Sequence, residues 1–91
     1  MLRMLASTSA LGSLFGEAQA FRARLVQIEA DQRRCQTPAL CRRLRRESEQ
    51  LIARLAELGR IAHWLQSAPV AVDRLSLALF QELCGRPLPC R

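Results

Sequence analysis

Positions Leu11, Leu14, Ala18, Phe21, Leu25, Ile28, Gln32 and Cys35 follow one another in steps that alternate three and four, and all but Gln32 are apolar. Such spacing lines one face of an α-helix, and its unbroken alternation is the a/d seam of a coiled coil. Val26 widens the stripe, while Arg22, Arg24, Gln27, Glu29, Asp31, Arg33 and Arg34 fall on faces that can stay in water. The pattern predicts a first helix over about residues 16–34. A second seam runs Cys41, Leu44, Ser48, Leu51, Leu55, Leu58, Ala62, Leu65 with the same steps, and Ile52 and Ile61 broaden it. Thr37-Pro38 reads as its start, the threonine oxygen capping an orphan amide and the proline lacking one that would go unpaired. This helix is expected over 38–67, with Gly59 as a candidate bend.

Ser67-Ala68-Pro69 ends that helix, and Pro69 suits the first turn of another over 70–84. Its apolar residues fall on two faces: Val72, Leu75, Leu79 and Leu83 on one, Leu77 and Phe80 on the other. Gly85 is placed as a helix-ending residue and Pro87 forbids continuation, so 85–91 is an irregular tail. The expected fold is all-α: a long antiparallel, coiled-coil-like helical hairpin plus a shorter third helix, in one domain over 16–91. Residues 1–15 are expected to be a frayed N-terminus. Two targeting readings compete with that: a secretory signal (Arg3, an apolar stretch broken by Ser7, Thr8, Ser9, Gly12 and Ser13, then Ala18-Gln19-Ala20) and an organellar presequence.

Composition sharpens this in two respects. Ninety-one residues make a small core that needs long helices, cross-links or partners. The net charge of +6 comes wholly from residues 1–46, where nine arginines face three acids, and there is no lysine in the chain. Arginine differs from lysine in offering a planar fork to carboxylates and phosphates. Arg33, Arg34, Arg42, Arg43, Arg45 and Arg46 crowd the hairpin tip, and two readings apply: a solvated end, or a docking surface for an anionic partner.

Four cysteines allow three pairings. Cys35 with Cys41 leads because both seams converge there, and Cys84 with Cys90 would form a second small ring. The nested set, Cys41 with Cys84 and Cys35 with Cys90, requires the third helix to return to the start of the second. Free thiols are a further option, and five residues between cysteines is wide for a zinc site. Oxidised cysteines would imply a secreted, periplasmic or organellar setting, whereas the weak signal favours the cytoplasm, so the compartment stays open. His63 is the sole histidine and reads as structural or exposed.

Neither a nucleophile–base arrangement, a glycine-rich phosphate loop nor a metal-ligand cluster is legible, so no enzyme and no cofactor is expected. No run approaches the ~20 apolar residues of a membrane span. The leading expectation is a protein–protein interaction module (adaptor, chaperone-like protein or assembly subunit). It would engage an acidic protein partner, or a second copy, through Trp64, Leu77 and Phe80 and the basic tip. The alternatives are a small basic binder of nucleic acid or anionic surfaces, and a secreted disulfide-stapled helical protein.

Overall fold

The computed structural model describes residues 2–69 and 71–89, with side chains from Ala10 onward. It is all-α, with no strand among the described residues: α1 (Leu2–Arg34), α2 (Pro38–Leu65) and α3 (Arg74–Gly85). Helices α1 and α2 form an antiparallel hairpin joined by three residues, and α3 packs against both. The particle measures 53 × 22 × 16 Å, its long axis close to the ~50 Å that a 33-residue helix spans at about 1.5 Å per residue.

Both seams point inward. Leu11, Ala18, Leu25 and Ile28 of α1 and Leu44, Ser48, Leu55, Leu58 and Ala62 of α2 are buried, and their remaining seam partners are half-buried. Ile52 and Ile61 add to the packed face as expected. Val26, by contrast, is 55% exposed and lies off the seam. Ser48 is the one buried polar residue among those described, and its hydroxyl donates to the Arg45 carbonyl at 2.8 Å, so its burial leaves no polar atom unpaired.

Four boundaries depart from the periodicity. Helix α1 begins at Leu2, not near residue 16. Leu11, Leu14 and Phe15 pack with Ile61, Leu65 and Val72 in the same core, so tertiary burial carries the helix through Gly12 and Gly16. Thr37 does take the N-cap position of α2, yet its side chain makes no capping bond; Pro38 at the start and the Cys41 amide to Thr37 carbonyl bond (3.0 Å) form that turn. The α2 helix runs through Gly59 and stops at Leu65, two residues early, where the Gln66 and Ser67 amides close tighter bonds to His63 and Trp64.

Helix α3 starts after Asp73, and Pro69 lies outside it. The Asp73 carboxylate accepts from the Ser76 amide at 2.9 Å and from its hydroxyl at 2.7 Å, a side-chain N-cap. Those two bonds hold the Asp73 carboxyl below its ordinary range. Gly85 is the last helical residue, and no described glycine has positive φ, so the left-handed helix ending is not used.

On α3, Phe80 is fully buried, and Leu77 and Leu83 are buried beside it, while Leu75 and Leu79 point outward. Beyond α3 the chain folds back onto the hairpin. The Arg22 guanidinium of α1 donates to the Arg86 carbonyl (3.3 Å) and the Pro87 carbonyl (2.5 Å), and Leu88 is half-buried against the core. The molecule therefore has a three-helix end, holding the shared core, and a two-helix end that carries the hairpin tip.

Candidate functional site

Cys35 and Cys41 stand at disulfide-bonding distance across the tip, with Cα atoms 6.1 Å apart, inside the range such a bridge requires. This excludes the nested pairing, which needs Cys41 for Cys84. Cys84 is free; Cys90, the other half of the expected second ring, lies outside the described residues. The Cys84 thiol is half-buried, lining a cavity of about 280 Å³ that His63 also lines. Burial pushes its pKa up, with Arg22 opposing. Among the described residues there is no group of three or more histidine, cysteine or acidic side chains fit to hold a metal ion.

The tip itself is strongly cationic. Arg33 and Arg34 close the last turn of α1, their side chains 76% and 74% exposed; each reaches back to an acid, Glu29 at 2.8 Å and Asp31 at 3.5 Å. Arg42, Arg43, Arg45 and Arg46 are exposed on the first turns of α2, and none has an ion-pair partner among the described residues. No acid occupies the first turn of α2, so these charges adjoin the positive end of the helix dipole uncompensated. Gln36, Thr37, Pro38, Ala39 and Leu40 are exposed between these arginines, Leu40 by 43%.

Glu47, which the sequence places four residues after Arg43 as its partner, turns the other way. Arg24 of α1 grips it with two bonds of 2.6 and 2.8 Å. Arg54 of α2 likewise binds Glu17 of α1 at 2.6 and 3.0 Å, and Glu57 at 2.8 Å. These interhelical forks flank the seam one heptad apart. Removing Glu47 from the outer face leaves the arginines around it less compensated than their spacing suggests.

The same forks set a pH dependence. Hydrogen bonding from Arg54 holds Glu17, and from Arg24 holds Glu47, below the ordinary value of 4.5. A carboxyl whose folded pKa is depressed stabilises the fold fully above its unfolded pKa and loses that contribution as pH falls through the folded value. The melting temperature is therefore expected to be flat above about pH 5 and to fall below about pH 4.5. The paired substitution Glu17→Gln with Glu47→Gln should lower the plateau and remove part of the fall, leaving the slope due to Asp73 and Glu82, whose pKa values are also lowered. Thermal melts across this range check it, and an undiminished acid-side drop in the variant would rule out the forks as its source.

At the three-helix end the apolar residues sort differently from expectation. Leu77 and Phe80 are in the core and offer no surface; Trp64 is 57% exposed, Leu75 70% and Leu79 51%. Trp64 stands over an apolar groove of about 240 Å³ walled by Ala10, Leu11, Leu14, Ile61, Leu65 and Val72. Leu79 borders another of about 210 Å³ with Leu11, Gly12, Phe15 and Ser76. The two grooves share Leu11, so Leu79 and Trp64 flank one stretch of α1, while Leu75 lines neither groove. Comparison of the chain with protein-family models, curated proteins and solved structures returned no match.

Proposed function

We propose that this chain is a non-catalytic helical interaction module that docks a partner protein on the apolar surface at its three-helix end. The observation that carries this reading is the exposure of Leu79 and Trp64, two large side chains beside apolar grooves that meet at Leu11, with Leu75 also exposed on α3, while the core is already closed by Phe80, Leu25 and Leu58. A cluster of exposed apolar groups of this kind is the usual mark of a contact surface, and an exposed tryptophan is a frequent anchor of one.

The test is a pair of surface variants. Leu75→Glu with Leu79→Glu, both at exposed positions, should leave the helical circular dichroism unchanged. It should weaken binding to whatever protein the wild-type chain captures from its native cells by at least about tenfold, the scale of one lost interface anchor. If the partner is a second copy, the doubled mass in sedimentation velocity disappears with the same variant. Retention of the partner by this variant, together with its loss on substituting the tip arginines, would overturn the reading.

A further inference from the structure

We propose that the stapled tip docks end-on to membrane surfaces rich in anionic lipid, its arginines on the lipid phosphates and Leu40 in the headgroup region. The proposal rests on the opposite end of the molecule from the apolar docking surface, so either can fail without the other.

Position comes first. The core shared with α3 reaches Leu25 on α1, and beyond it the hairpin continues as two helices to Arg34, roughly 15 Å further at about 1.5 Å per residue. The tip is thus a narrow projection that can meet a flat surface unobstructed by α3. A three-residue connection, Pro38 at the first turn and the Cys35–Cys41 pair hold it in one shape.

Charge and apolarity then select among anionic surfaces. Six arginines surround the tip, and four of them lack an acidic partner among the described residues. Attraction to phosphate alone would suit nucleic acid equally. The exposed uncharged residues of the tip, however, run from Gln36 to Leu40 and include Pro38, Ala39 and the 43%-exposed Leu40, and Arg33 to Arg46 include no aromatic side chain to stack on a base. An exposed leucine within a cationic tip gains nothing from a phosphate backbone. Against a bilayer it leaves water for the acyl boundary while the arginines stay at headgroup level, the arrangement of peripheral anchors. No helix among the described residues is long and apolar enough to cross a membrane, so the attachment is peripheral.

The experiment is co-sedimentation of the full, oxidised chain with vesicles of phosphatidylcholine alone and of phosphatidylcholine with phosphatidylserine. Binding to the phosphatidylserine vesicles only is expected. Each basic residue near an anionic leaflet strengthens binding roughly fivefold, so replacing Arg42, Arg43, Arg45 and Arg46 by alanine should weaken it by at least about a hundredfold. Leu40→Ser, which leaves charge and core untouched, should weaken it several-fold. Trp64 lies at the other end, so its fluorescence should not shift to the blue on binding. Four results would overturn the proposal: no binding to the anionic vesicles, equal binding to neutral ones, indifference to Leu40→Ser, or a blue shift of Trp64. Tighter binding to a DNA duplex at matched phosphate concentration would overturn it in favour of nucleic acid.

Discussion

Phe80→Ala is expected to destabilise the protein by about 3–5 kcal/mol, the cost of deleting a fully buried aromatic side chain whose site collapses only in part. Phe80 has no exposed surface and packs in the cluster that joins all three helices, together with Leu25, Leu58, Ala62, Leu77 and Leu83. A chain of this length has a total stability of roughly 5–14 kcal/mol, so the loss is a large fraction of the whole. The hairpin retains its own seam, and the expected first casualty is the docking of α3. Leu75→Ala provides the contrast: the same helix, but a side chain 70% exposed, and a change within about 0.5 kcal/mol. Denaturant midpoints of the two variants check the assignment of faces. Equal losses, or a larger one at Leu75, would mean that α3 packs by its other face.

Breaking the Cys35–Cys41 pair should cost about 2 kcal/mol. The two cysteines are six residues apart, and closing so short a ring removes little more than that from the unfolded chain's freedom. The locality of the effect is more telling. The first turns of α2 carry four arginines against the positive end of their own helix, with no acid in the first turn to offset them. Without the bridge these turns have Pro38 and one tight connection to hold them, and they should fray first. The measurement is amide hydrogen exchange and a denaturant midpoint, each with and without reductant. Exchange should accelerate at residues 39–46 and stay unchanged around Leu55 and Leu58. An unchanged midpoint with unchanged exchange would mean that the pair contributes nothing.

The hairpin was legible because its two seams keep strict three-four steps, and a pattern that regular leaves one face to bury. The third helix was legible as an element, but its buried face was not, for the opposite reason. Val72, Leu75, Leu79 and Leu83 keep helical spacing as faithfully as Leu77 and Phe80 do, so periodicity offers two faces and only the space left by the hairpin chooses between them. That choice put Leu77 and Phe80 inside together with Leu83, which spacing groups with Leu75 and Leu79, and left the latter two as surface. The α3 start was readable and missed: Asp73 with Ser76 three residues later is a capping signal, but Pro69 drew the boundary upstream. At the tip, the cysteine pair stands where the two converging seams suggested. The pattern did not anticipate Glu47 turning inward to Arg24, although Glu17, Arg24, Glu47 and Arg54 all precede a seam position by one residue and their signs alternate.

That alternation bears on what happens when two copies meet. The seam keeps the same spacing in every heptad, so spacing alone does not fix its register; the charges beside it number the divisions. Slide α2 by one heptad in one direction and Glu17 faces Glu47; slide it the other way and Arg24 faces Arg54. Within one chain the three-residue connection already resists sliding. Between chains that had exchanged helices no such tether would exist, and these four side chains would oppose a pair settling one heptad out of step.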